Sequence, residues 1–271
     1  MPRAIWTGAI SFGLVSVPVK LYSAVSSRTV RFNQLNRATG ARISMRRVDS
    51  STGEEVPYED VVKGYELAPD RYVVVEPDEL EALDPVATHT IEIQDFVDLA
   101  EIDPVFYDHP YYLAPAAGGA KPYRLLVEAM RETGKVGIAT VVLRSKEQLV
   151  ALRPLDDGAL GMATMVFADE VVDPATLDDL PDEVDVAQRE LEIAKQLIES
   201  LAAPFEPAKY RDTYRERVLE LIERKAAGEQ VAAAPQAPER PAVPDLMAAL
   251  KESLEAVRGA GGDGAAGDGA A

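Results

Sequence analysis

The chain has no cysteine and only two histidines, His89 and His109, among 271 residues. Disulfides, a thiol nucleophile and any cysteine-based zinc site are thereby excluded. Neither a G-x-x-x-x-G-K-[ST] nor a G-x-S-x-G motif occurs: Gly134-Lys135 lacks both the upstream glycine and the following Ser/Thr of a phosphate loop. No run approaches the roughly 20 apolar residues of a membrane span. The opening MPRAIWTGAISFGLV is broken by glycines and lacks the continuous apolar centre and cleavage site of a signal peptide. The expectation is a cytoplasmic protein, with two ordinary polar histidines and no visible catalytic set. Carboxylates are too many for any one pair to be informative.

The most telling absence is local. Residues 1–48 contain no acid, although the whole chain carries a formal net charge of −18. Successive blocks 1–48, 49–110, 111–153, 154–206, 207–227 and 228–271 carry +8, −16, +4, −12, +2 and −4. Gathering the basic blocks on one surface and turning the acidic ones away would favour a polyanion on that face. Scattered arginines paired with acidic neighbours are the alternative reading.

A length of 271 residues suffices for one large core or two small domains. Residues 9–25 read as one or two strands, with Pro18 marking an edge, bend or bulge. ARISMRRV (41–48), the turn Asp49-Ser50-Ser51-Thr52-Gly53 and EEVPYEDVV read as a projecting hairpin with a thin apolar face. YVVVEPDEL (72–80) reads as a strand running into a helix, with Pro77 near its first turn; further strands are expected at 89–97, 111–115, 136–144 and from EQLVALRPL through GALGMATMVFADEVV, with a helix over 121–134 stopped by Gly134. Many short strands with few helices suggest a barrel or sandwich. The pattern then turns helical. Residues 185–205 place Ala187, Leu191, Ala194, Ile198 and Leu201 on one stripe, and 209–228 place Tyr210, Tyr214, Val218, Leu221 and Ile222 on another. An Ala/Pro-rich linker (229–243), a short amphipathic helix (244–258) and a Gly-rich disordered tail (259–271) complete the expected organisation, after a core over 1–184 and a helical arm over 185–228. A tethered helix of that length either folds back on its own domain or, the preferred reading, enters a partner's groove.

Several of these stretches, in order along residues 1–228, resemble one family: AIWTGAISFGLVSVPVKLYSAV, FNQLN, GEEVPYEDVVKGYE, EQLVALRPL, ADEVVD and AKYRDTYRERVLELIERK are similar to bacterial Ku proteins, as is PDLMAALKESL near the end. The resemblance implies an α+β, mainly β fold: a Ku-type β-barrel carrying a bridge at about 30–62 and a helical arm. It also implies a non-catalytic homodimer that threads onto double-stranded DNA ends and recruits a multifunctional ATP-dependent DNA ligase, in a cytoplasmic, nucleoid-associated setting without a cofactor. The DNA-binding candidates are Arg31, Arg37, Arg42, Arg46 and Arg47 in the bridge, with Lys20, Arg28, Lys121, Arg124, Lys135, Arg144 and Arg153 from the barrel. Their role would be to neutralise phosphates without reading bases. Leu246, Met247, Leu250 and Leu254 are the ligase-binding candidates. Many relatives carry a zinc ribbon in the bridge. Here Asp49-Ser50-Ser51-Thr52 occupies one knuckle, so a metal-free bridge is expected. A divergent Ku-fold interaction scaffold with weak DNA binding is the alternative.

Overall fold

The computed structural model describes residues 2–83, 89–181, 184–229 and 246–262. The chain divides into two compact units, one of residues 1–28 and 32–176, the other of 29–31 and 177–271. Apart from Glu229, the expected linker lies outside the described residues, as does the tail from 263 onward.

In the first unit, seven strands close into a barrel in the order β1 (Trp6–Phe12), β2 (Val15–Ser23), β6 (Tyr107–Pro115), β9 (Leu160–Met165), β8 (Lys146–Pro154), β7 (Lys135–Leu143), β5 (Thr90–Asp98). A barrel, not a sandwich, is thus the outcome. Every pairing is antiparallel except β1 with β5, the parallel contact that shuts the barrel. The β1–β2 hairpin resolves 9–25 into two strands. Pro18 pairs with Ala9 of β1 and lies one residue beyond the last β2–β6 pair, Val19↔Pro115, where its carbonyl accepts from the Ala116 N–H (2.9 Å) and its missing N–H ends the ladder. Alternate residues point inward: Ile10, Val17, Val19, Leu21, Ile91, Leu113, Val150, Leu152, Leu160 and Met162 are all buried. The last expected strand is shorter than its sequence suggests. It stops at Met165, and Ala168–Glu170 forms a turn of 3₁₀-helix.

Helix α2 (Ala120–Thr133) packs Tyr123, Leu126, Val127 and Met130 against the barrel, and Gly134 ends it in a left-handed conformation at φ 68°. Its Tyr123 hydroxyl donates to the Leu113 carbonyl (2.6 Å) and accepts from the Leu160 N–H (2.7 Å). A side chain is thereby spliced into the β6–β9 ladder at its last pair. Burial holds the Tyr123 phenol above its ordinary pKa.

Two strands stand apart from the barrel: β3 (Lys63–Ala68) and β4 (Arg71–Val75) pair only with each other, before α1 (Pro77–Leu83). The expected hairpin across 41–62 does not form a ladder. Its only pairings are the isolated bridges Leu35↔Arg42 and Val48↔Glu55. Every residue from 31 to 55 is exposed, so no packed face supports longer strands.

The second unit contains α3 (Gln188–Leu201), α4 (Thr213–Ala226) and α5 (Leu246–Gly262). The first two are shorter than the periodic stretches suggest. Pro204 disfavours helical backbone just before it, and the Asp212 carboxylate caps α4 by accepting from the Arg215 N–H. The third runs further than the expected 244–258, taking in four residues of the expected tail, while 244 and 245 lie outside the described residues. Among the described residues no helix is long and apolar enough to cross a membrane.

Candidate nucleic-acid interface

The basic segment leaves the barrel at the end of β2 and is organised by two turns of the same build. In the first, Asn36-Arg37-Ala38-Thr39-Gly40, the Gly40 N–H donates to the Asn36 carbonyl (2.8 Å). The Ala38 N–H donates to Asn36 Oδ1 and the Ala41 N–H to Thr39 Oγ1. In the second, Asp49-Ser50-Ser51-Thr52-Gly53, the Gly53 N–H donates to the Asp49 carbonyl (2.8 Å), the Ser51 N–H to Asp49 Oδ1 and the Glu54 N–H to Thr52 Oγ1. Gly40 and Gly53 take φ of 68° and 74°, which the turn requires and glycine adopts without cost. The shared pattern Asx-x-x-Thr-Gly repeats thirteen residues apart. That repeat was present in the letters and escaped the sequence reading.

These turns bear on the metal question. In the second turn, where the family resemblance implies a zinc knuckle, the two outer positions are Asp49 and Thr52, and the first turn repeats them as Asn36 and Thr39. None of the four is a sulfur or imidazole donor. Each spends its side-chain oxygen on a neighbouring N–H. Such residues do not fit tetrahedral zinc. Among the described residues no group of three or more His, Cys, Asp or Glu side chains converges to hold a metal. The Ser51 hydroxyl, the Ser51 N–H and the Thr52 N–H, in that order, hold the Asp49 carboxyl below its usual value.

The turns present the bridge arginines differently. Arg42 donates to the neutral Asn33 Oδ1 (2.7 Å) and has no carboxylate partner among the described residues. Arg46 pairs with Glu55 (2.8 Å), an acid that lies past the turn in sequence and beside the arginine in space. Arg47 stacks its guanidinium 5.1 Å from the centre of the Tyr58 ring. Arg37 sits in the first turn and is exposed. Arg31 falls in the three-residue stretch grouped with the second unit, and Arg28 precedes it in an exposed, irregular segment.

On the barrel, strand register brings two candidates onto one outer face. Tyr22 of β2, Tyr112 of β6, Gly161 of β9 and Arg153 of β8 form a row across four strands, and Lys20 lies opposite Ala114 one pleat away. Three strand spacings put Arg153 ~14 Å from the β2 column that carries Lys20. A depression of about 450 Å³ at the Arg153 end of this face is lined by Arg153, Tyr107, Asp108, Tyr112, Gly161 and Ala163 among others, and Lys20 does not line it. Burial raises the Tyr107 phenol pKa, and the Arg153 guanidinium opposes that shift. The remaining barrel candidates do not gather there. Arg144 occupies the tip of the β7–β8 hairpin at φ 53°, a full strand length from Arg153. Lys121 and Arg124 lie on the exposed face of α2, where Arg124 pairs with Glu128 (2.7 Å), and Lys135 pairs with Asp98 (2.9 Å). Three of the twelve candidates, Arg46, Arg124 and Lys135, are therefore ion-paired.

Of the candidate recruitment residues, Met247 and Leu250 are half-buried and Leu254 is buried, 8% exposed, in a helix that packs on α3. Leu246 begins that helix, and its side chain lies outside the described set.

Comparison with known proteins bears on this architecture. Residues 11–193 match the family model described as the Ku70/Ku80 beta-barrel domain. Relatives named non-homologous end joining protein Ku align along nearly the whole chain. The one from Anaeromyxobacter sp. (strain K) is 54% identical over 95% of this chain and 87% of its own length. The Saccharopolyspora erythraea protein named Ku 1 is 45% identical over 97% of this chain and 81% of its own. That from Archaeoglobus fulgidus is 40% identical over 94% of this chain and all of its own. A closed seven-stranded barrel, matched over most of its residues by the family model and supported by these relatives, leads to one assignment: the chain belongs to the Ku family.

Proposed function

We propose that the protein is a non-catalytic homodimeric ring that binds the ends of double-stranded DNA without sequence preference and recruits an ATP-dependent DNA ligase for non-homologous end joining. The observation that carries this reading is the bridge. In a chain of net charge −18, residues 31–55 are wholly exposed, and residues 1–48 are basic without a single acid. Such a segment has no core to serve. Its arginines are arranged for phosphates, whose neutralisation releases counterions and needs no base contact.

Exposed apolar surface supports the homodimer. Tyr65, Leu67, Tyr72, Val73 and Val74 of the β3–β4 ribbon are open to solvent, as are Ile198 and Leu201 of α3 and Tyr210 and Tyr214 nearby. A monomer rarely leaves so much apolar surface bare, and a second copy related by a two-fold axis would cover such surface.

The alternative, a Ku-fold interaction scaffold with weak DNA binding, draws on the three candidate cations already paired with carboxylates. A gel-shift comparison of linear and covalently closed duplex separates the readings. A ring binds the linear form and leaves the closed circle largely free. Equal binding to both marks an ordinary basic surface, and binding to neither marks the scaffold.

A further inference from the structure

Helix α3 carries two apolar stripes. The first, Leu191, Ile198 and Leu201, is exposed. The second, Ile193, Ala194 and Leu197, is half-buried, and α5 is the helix that packs on α3 within this unit. Among the described side chains of α5, the large apolar ones are Met247, Leu250 and Leu254, spaced three and seven apart on one face. All three are withdrawn from solvent, whereas Lys251, Glu252, Ser253 and Glu255 are exposed. Among its described side chains, the docked helix therefore exposes polar groups and the small Ala248 and Ala256, but no large apolar anchor. A protein that takes the three apolar anchors into a groove has to displace α3 first.

We infer that α5 is a reversibly stowed recruitment helix. Its docking on the Ile193–Ala194–Leu197 stripe masks the anchors, and partner binding draws on the undocked fraction. The inference rests on the reading of α5 as the ligase-recruiting segment and adds its regulation. Two features favour a reversible dock over a fixed one. Among the described side chains of α5 only Leu254 is buried, and Met247 and Leu250 are half-buried, so their contact is partial. Residues 230–245, whose Ala/Pro-rich composition reads as a linker, separate α5 from α4. A helix of this length is marginal without a surface to lie on, and α3 and a partner are alternative surfaces. The apparent affinity for the partner then equals the intrinsic one multiplied by the undocked fraction.

The absence of native cysteine makes the test direct. Leu254→Cys and, as the exposed control, Lys251→Cys each introduce a unique thiol whose alkylation rate reports access in the full-length protein. Stowing predicts that the thiol at 254 reacts about tenfold or more slowly than that at 251, as a dock populated at least ~10:1 requires. Ile193→Asp and Leu197→Asp, made separately so that one misfolded variant does not end the test, should each speed alkylation at 254. Made in the cysteine-free parent, the same substitutions should tighten binding of the organism's ATP-dependent ligase by a similar factor. Equal rates at 254 and 251 in the otherwise unchanged protein overturn the inference. So does faster alkylation with unchanged ligase affinity, which means the polar face is read, or with lost affinity, which means α3 belongs to the partner site. Deletion of residues 246–271 tests the underlying reading by itself: if ligase binding survives it, α5 is not the recruiting segment, whatever the alkylation rates show.

Discussion

Reversing the charge of Arg46 and Arg47 together is the sharpest perturbation of the bridge. Both side chains are exposed, and neither supports the fold. The Arg46–Glu55 pair, with its side chains 72% and 55% exposed, is worth at most about 1 kcal/mol. The contact of Arg47 with Tyr58 contributes about 0.5–1 kcal/mol at an exposed site. The two turns are held by backbone and Asx/Thr hydrogen bonds that involve no arginine side chain. Arg46→Glu with Arg47→Glu should therefore leave the melting temperature and the dimer nearly unchanged. DNA binding responds differently. If each arginine neutralises one phosphate, a dimer loses four contacts, and the plot of log affinity against log salt becomes shallower by about 3.6 at ~0.9 per contact. Between roughly 50 and 200 mM salt the parent then loses about a hundredfold more affinity than the variant does. Fluorescence anisotropy on a short blunt duplex across a salt series measures both slopes. Parallel plots for parent and variant would refute the placement of these arginines on the phosphates.

Other expectations follow from the barrel, the turns and the arm. Tyr123→Phe strands the buried Leu160 N–H and Leu113 carbonyl, a loss of about 2–4 kcal/mol. At roughly 3 °C per kcal/mol for a unit of this size, calorimetry should show a clear fall in melting temperature, and a shift within about 1 °C would mean that the strand ends close on each other. The pKa of Asp49 is lowered in the folded turn, so its contribution is full above the ordinary carboxylate value of 3.8 and is lost as pH falls through the lower folded value. Amide shifts of Ser51 and Thr52 should titrate below that ordinary value. Asp49→Asn, which keeps the cap that Asn36 provides in the sister turn, should abolish the step. Ile198→Asp on the exposed stripe of α3 should shift the dimer toward monomer in light scattering. An unchanged dimer would move the interface elsewhere.

The sequence was most readable where period and punctuation agree. The stripe Tyr123, Leu126, Val127 and Met130 closed by Gly134 marked α2 almost to the residue, and the alternation of 89–97 marked β5. Less was legible where structure depends on distant pairing. The parallel β1–β5 contact that closes the barrel joins segments some eighty residues apart. The meeting of Tyr22, Tyr112, Gly161 and Arg153 in one row follows from three separate registers, none of them encoded locally. The alternation of 41–48 looked like a strand, yet without a packed face the backbone settled into capped turns. Those turns also carried Glu55 back to Arg46, a neutralisation that linear charge counting could not see. Along residues 187–201, Ala187, Leu191, Ala194, Ile198 and Leu201 were visible as a stripe, whereas the half-burial of Ile193 and Leu197, in a helix that α5 packs on, was not.

Threading is the central claim, and topology tests it most directly. The protein is loaded on linear plasmid, the ends are sealed by an added ligase, and the complex is challenged with about 1 M salt, where screening confines electrostatic attraction to ~3 Å. A closed ring is expected to stay on the sealed circle and to leave the unsealed linear control. Loss from both at the same rate would contradict a ring and leave a charged surface in its place.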